Sequence, residues 1–299
     1  MPCLLALLLA IAASGGALGQ SRNSRNHPNP EILVPEKSWE LLGKGYHLTA
    51  DSAVDFAGNV YFTDARRNRI LKVDLDGRIS TWKESSNGAH GIAFGPDGRF
   101  YAGQHDLKRI VAFGSDGAES VVVQGVSTHH LTVTARNEIY FTEPPAHRVW
   151  IADFAGNKRS VFEGIHWPRS VRASADRTRL FVNDPPTPWV WTFAIQPDGS
   201  VKDGRKFCRL EADKGSTETD SGGMALDAQD FLYVATKNGV QVCDPRGQVV
   251  SILEVPPGEN GVSNVLFAGP DLAWLYVNDW ENIYRRPAKR RGVVLPKLP

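Results

Sequence analysis

Helical periodicity is what this sequence most lacks: no stretch repeats its apolar residues at helical spacing for more than two turns. Helical bundles and alternating strand–helix folds are therefore excluded. Charge imbalance is missing too, with 34 basic against 33 acidic side chains. Neither nucleic acid nor an anionic membrane surface has an electrostatic footprint here as partner. The basic pairs Arg66-Arg67 and Arg285-Arg286 and the short run Lys289-Arg290-Arg291 read as solvated loop residues. Cysteine is scarce, at three residues. Cys208 and Cys243 lie about 35 residues apart inside apolar strand patterns, which is no disulfide framework, so buried free thiols are expected, with a disulfide between them as the alternative that export permits. No histidine adjoins either one to mark a nucleophile. A nucleophile elbow, a phosphate loop and a His-Glu-x-x-His zinc motif are all absent.

One long apolar run exists, Leu4 to Ala13, and it is too short to span a bilayer. It has signal-peptide length, and Ala17-Leu18-Gly19 supplies small residues at the cleavage spacing. Cys3 precedes the run and so is not placed for lipid attachment. Residues 1–19 read as a signal peptide, 20–37 as a flexible linker rich in Asn, Ser, Arg and Pro, and 38–299 as one domain. The expectation is an exported, soluble protein with no membrane attachment after signal removal. At 299 residues, 41% of them hydrophobic, the chain has ample material for a core.

What the sequence does have is repetition. An apolar strand, a turn and a second strand centred on an aromatic residue recur six times, the second strand reading Val60-Tyr61-Phe62, Phe100-Tyr101-Ala102, Ile139-Tyr140-Phe141, Leu180-Phe181-Val182, Leu232-Tyr233-Val234 and Leu275-Tyr276-Val277. The interval is about 40 residues, stretched near Lys202 to Ser221, where extra loop is expected. Turns rich in Gly, Asp or Pro, such as Pro96-Asp97-Gly98, separate the first two strands, and third and fourth strands follow. Four antiparallel strands repeated six times predict an all-β, six-bladed β-propeller. A sandwich of short strands would not explain the constant interval. Either Trp39 to Leu42 or Gly292 to Leu295 is available to complete the last blade and protect its edge.

In a propeller the first strand of each blade lines the channel, so the residues leading into it sit at one mouth. These are Ala50-Asp51-Ser52, His90-Gly91, His129-His130, Arg169-Ser170, Gly222-Gly223 and Ser263-Asn264. The loops after the second strands return to the same mouth and bring His105, Glu143, Asp184 and Trp280. Polar side chains converging on a concave mouth of a rigid scaffold mark the candidate site.

The phrases Gly58-Asn59-Val60-Tyr61-Phe62-Thr63-Asp64, Gly91-Ile92-Ala93-Phe94-Gly95-Pro96-Asp97-Gly98-Arg99, Gly223-Met224-Ala225-Leu226-Asp227 and Leu232-Tyr233-Val234-Ala235-Thr236, in this order, resemble the regucalcin and gluconolactonase family of six-bladed propellers over nearly the whole mature chain. The resemblance implies a calcium- or zinc-dependent hydrolase of sugar lactones and related esters. It also implies metal ligands, a Glu, an Asn and an Asp, at the positions held here by Ala50, Arg169 and Gly222. An Asn-Asp pair that the resemblance places near substrate and metal is replaced by His129-His130. None of the three ligand positions keeps its oxygen donor. A hard cation needs several oxygens, and a guanidinium offers none.

The expectation is therefore a degenerate metal site with no cofactor, binding a sugar acid or lactone-type small molecule through Asp51, His90, His129, His130, Arg169, Asp220, Asn264, Trp167 and Trp280. In this reading Arg169 replaces the ion as a fixed cation paired with Asp51 or Asp220. The alternative is an active lactone hydrolase with a remodelled site, its catalytic candidates Arg169, His129, His130 and Asp51, with calcium or zinc as cofactor. Under a zinc-like reading His90, His129, His130 and Asp51 would share the ion, but His129 and His130 can both face the channel only if the strand starts after them. A third possibility is a protein-interaction scaffold.

Overall fold

The computed structural model describes residues 31–256 and 261–293. The expected signal peptide, most of the expected linker, and Val294 and Leu295 lie outside these. Six separate four-stranded antiparallel sheets follow one another along the chain, each running from an inner to an outer strand. Blade 1 is Ser52–Val54, Val60–Asp64, Arg69–Val73 and Ile79–Glu84. The inner strands of blades 2 to 6 are Ala89–Phe94, Leu131–Val133, Val171–Ala173, Met224–Leu226 and Asn264–Ala268. The expected six-bladed propeller is the observed fold.

The ring is closed by Glu40–Gly43, which pairs with Ile283–Pro287 as the fourth strand of blade 6. Arg285 clamps this seam, its Nε and Nη2 donating to the two carboxylate oxygens of Glu40 at 2.7 and 3.3 Å. Of the two candidate closing segments, the N-terminal one is therefore used, while Gly292 forms an isolated bridge to Asp227 and donates its N–H to the Leu272 carbonyl at 3.0 Å. Residues 31–34 differ from the linker expected there. Ile32 is buried among Val265, Phe267 and Val277, and Leu33 bridges Ala288.

The repeated aromatic explains the packing. Tyr61, Tyr101, Tyr140, Phe181, Tyr233 and Tyr276 are all buried. The apolar clusters join neighbouring blades rather than filling single ones: Tyr61 of blade 1 packs on Phe94 and Phe100 of blade 2. A buried phenol needs a partner, and turn aspartates supply it. The hydroxyls of Tyr101 and Tyr233 donate to Asp97 and Asp227 at 2.8 and 3.1 Å. Burial, reinforced by Asp55, pushes the Tyr61 hydroxyl up to about 12.

Two expectations about blade 4 are corrected. The extra length begins as strand rather than loop, because Val201–Arg209 forms a nine-residue outer strand, and the expected loop is confined to residues 210–221. Its Cys208 is joined to Cys243 of blade 5 by a disulfide, so the two cysteines are not free thiols. They stand on adjacent strands of different blades, a proximity that spacing along the chain does not reveal. Among the described residues no helix is long and apolar enough to cross a membrane.

Candidate functional site

The residues leading into the inner strands converge on the upper mouth. Ala50, His90, His129, His130, Arg169 and Gly222, from five blades, line a cavity of about 30 Å³ there, together with Ser263 and Trp280. That is about the share of one liquid water. The inner strand of blade 3 begins at Leu131, so both His129 and His130 precede it and both reach the cavity.

Arg169 roofs this cavity. Its Nη1 donates to Asp220 Oδ1 at 2.7 Å, and its guanidinium carbon lies 5.2 Å from the centre of the Trp280 ring. The Arg169 carbonyl accepts from Thr142 Oγ1 at 2.9 Å, and its N–H donates to the Asn183 carbonyl at 3.3 Å, so the backbone under the side chain is tied to blades 3 and 4. Asp220 and Trp280 both have positive φ, 45° and 78°. Such a backbone is uncommon for Asp and costly for a residue as bulky as Trp, and it is characteristic of ligand sites. The Asp220 side chain is 51% exposed. Solvent screening therefore limits this ion pair to about 0–1 kcal/mol.

Below the roof the chemistry changes to imidazole. Burial first, then the charges of Arg169, His90 and His130, hold His129 well below the ordinary histidine value. His90, 5.7 Å from His129 and 5.4 Å from His105 between ring centres, is lowered by burial and by His105, with Asp106 and Asp51 opposing. Nδ1 of His129 is buried without a hydrogen-bonding protein partner, and so are both ring nitrogens of His130. His130 Nε2 lies 3.2 Å from Asp51 Oδ1, but the direction is wrong for a hydrogen bond. Unpaired buried polar atoms are rare and call for an explanation.

A family model described as the SMP-30/gluconolactonase/LRE-like region matches residues 49–279. The chain belongs to this family. It is 23% identical to the gluconolactonase of Zymomonas mobilis over 271 residues, covering 77% of this chain and 75% of that one. Among solved structures it superposes on a gluconolactonase of Xanthomonas campestris with a TM-score of 0.75 at 20% identity, over 86% of this chain and 91% of that one. A calcium-binding regucalcin of Agrobacterium tumefaciens gives 0.73 at 15% identity, over 86% and 95%.

With the SMP-30/gluconolactonase frame in place, the donors at the cup can be set against a divalent cation. The carboxylate of Asp51 is committed: it accepts from the N–H groups of Ser52 and Ile92 at 2.8 and 2.9 Å and from Asn264 Nδ2 at 2.5 Å. Asp220 faces Arg169. Among the described residues no three His, Cys, Asp or Glu side chains are grouped so as to hold a metal ion. A Cβ at Gly222 would stand 2.1 Å from the Ser263 carbonyl oxygen, and one at Gly223 would stand 1.7 Å from Asn264 Oδ1. Blade 6 leaves no room for a side chain at either glycine. These residues do not fit calcium.

Several candidates fall outside the cup. Asp51 and Asn264 lie beneath it as a buried pair, so Arg169 pairs with Asp220 and not with Asp51. Trp167 borders an outer groove with Arg169, Asp213 and Lys237. Glu143 accepts from the Ser127 N–H and Trp150 Nε1, both at 3.0 Å, and Asp184 accepts from the Trp167 N–H at 2.9 Å, so both hold loops in place. Residue patterns missed Asn183, whose Nδ2 donates to the Gly222 carbonyl at 2.7 Å while its Oδ1 accepts from the Ser170 N–H. It locks together two of the segments that build the cup. Its Asn-Asp setting at the end of a second strand was the one available signal.

Proposed function

We propose that the upper cup binds a small sugar acid, or the matching lactone, on Arg169, with little or no metal-assisted hydrolysis. The observation that carries this reading is the place of Arg169: a guanidinium at a position where the resemblance implies a metal ligand, with no room for a side chain at Gly222. A ligand carboxylate takes over the guanidinium fork from Asp220. The exchange costs little, because the half-exposed pair contributes at most about 1 kcal/mol. The cavity under the roof admits only a water-sized group, so the sugar ring lies at the level of Arg169 and Trp280. Grooves along Trp167 and Asp213 on one side and His47 and Glu281 on the other adjoin that level. Neutral His90 and His129 meet the hydroxyls from below, and Trp280 offers a face for the ring. Export of the chain belongs to the same proposal, and the Cys208–Cys243 disulfide supports it.

Calorimetric titration with gluconate, alongside metal content and glucono-lactone hydrolysis with and without calcium, zinc and chelator, tests this. Gluconate should bind, at least ten-fold more weakly to Arg169→Gln. Chelator-sensitive lactonase activity would overturn the reading. Metal-free hydrolysis is a second reading, favoured by the neutral, unpaired Nδ1 of His129 beside Arg169. It requires chelator-insensitive turnover that His129→Gln abolishes.

A further inference from the structure

Below Asp51 and His130 the channel widens into a second cavity of about 110 Å³ that opens at the lower mouth. His130 lines both cavities and forms part of the partition between them. The lower cavity is lined by one charged side chain, Arg172, and by no carboxylate. Ser52, Thr132 and His130 are its other polar side chains, and the rest is apolar, with the exposed Phe56 and Val293 at the rim.

Arg172 is the middle residue of the inner strand of blade 4, Val171–Ala173. Its Nε donates to the Met224 carbonyl of blade 5 at 2.8 Å, which fixes the plane of the guanidinium. Among the described residues its Nη1 and Nη2 have no acceptor, and no carboxylate lies within ion-pair distance. Its side chain lines the lower cavity. Burial pulls its pKa below the ordinary arginine value, and Asp51 opposes that pull. A partly buried cation without a counter-ion within ion-pair distance carries a desolvation cost that an anionic partner would offset.

We propose that the lower channel is a second binding site, for a compact organic monocarboxylate whose carboxylate forks onto Nη1 and Nη2 of Arg172 while its apolar body fills the funnel. The free edge of a guanidinium matches a carboxylate in two parallel hydrogen bonds. One positive charge among apolar walls suits a monoanion with a hydrophobic tail, and a phosphate dianion would want more donors. The volume is a few times the ~30 Å³ of a liquid water, enough for a small ring but not for a disaccharide. The lower site does not depend on what the upper cup binds.

Benzoate is the probe, with benzyl alcohol as its uncharged counterpart, measured by calorimetry and ligand-observed NMR on the folded protein. Benzoate should bind saturably to the unmodified protein and equally to Arg169→Gln, which alters only the upper cup. Arg172→Met should weaken it at least ten-fold, and benzyl alcohol should bind at least ten-fold more weakly than benzoate. Ala175, exposed at the lower rim, gives a variant that leaves Arg172 intact. Ala175→Trp should block access to the same degree, and it carries the test if Arg172→Met does not fold. No saturable binding, or equal binding to Arg172→Met and Ala175→Trp, would overturn the proposal. Loss in Arg169→Gln alone would also overturn it, by moving benzoate to the upper cup.

Discussion

His130 Nε2 stands 3.2 Å from Asp51 Oδ1 at the level where the upper cup gives way to the lower funnel. The carboxylate that meets it is among the least exposed charged groups of the protein, at 2%. It ties blade 1 to blade 2 through Ile92 and to blade 6 through Asn264. Three neighbouring blades therefore share one anion.

Replacing that anion gives the first prediction. Asp51→Asn keeps the shape but turns one acceptor into a donor, so it must face the Ile92 N–H or Asn264 Nδ2 as a repelling partner. Hydrogen bonds to a buried charge contribute about 1.5–3 kcal/mol each. Asp51→Asn should lower stability by about 2 kcal/mol or more in urea unfolding monitored by tryptophan fluorescence.

Acid should destabilise the protein through its histidines. Both His90 and His129 have folded-state values below the unfolded value of 6.5. The unfolded chain therefore binds protons first as pH falls, and stability declines from just above 6.5 downward. Melting temperature should fall between pH 7 and 5, and His129→Gln should flatten that slope. An unchanged slope would show that His129 takes up its proton alike in the folded and unfolded chain.

Gly222→Asp restores the carboxylate implied by the family resemblance, yet it should not restore a calcium site. The new Cβ would meet the Ser263 carbonyl oxygen at 2.1 Å, a backbone atom with nowhere to go. Overpacking of this kind costs about 1–3 kcal/mol or more. The variant should unfold at lower urea and show no calcium uptake by titration. Stability at the parent level with calcium bound would refute the closure of this position.

The Cys208–Cys243 bond spans 35 residues and staples blade 4 to blade 5. Closing a loop of that length stabilises by about 2–4 kcal/mol. The double replacement Cys208→Ser with Cys243→Ser should lose about this much, and the parent protein under reducing agent should lose a similar amount.

The strands were legible because local patterns make them. Tyr101 announces a second strand by its neighbours Phe100 and Ala102, and the Asp97-Gly98 turn before it sets the register. The convergence of Ala50, His90, His129, Arg169 and Gly222 was legible for the same reason, since each stands at or just before the start of an inner strand. What stayed hidden depends on contacts between blades. Asp51 looked like a partner for Arg169 until its oxygens proved to be taken by Ile92 and Asn264. Cys208 and Cys243 meet only because one outer strand lies against the next blade. Arg172 sits within an inner strand, where a pattern reading expects packing rather than an unpaired cation.

The strand Glu40–Gly43 carries a consequence in time. It is made early in synthesis, and its partner Arg285 is made 245 residues later. At about 5–20 residues per second the growing ring stays open for roughly ten seconds to a minute. Throughout that interval blade 1 has no neighbour on one side, and every blade added brings the waiting strand nearer to the place it will fill.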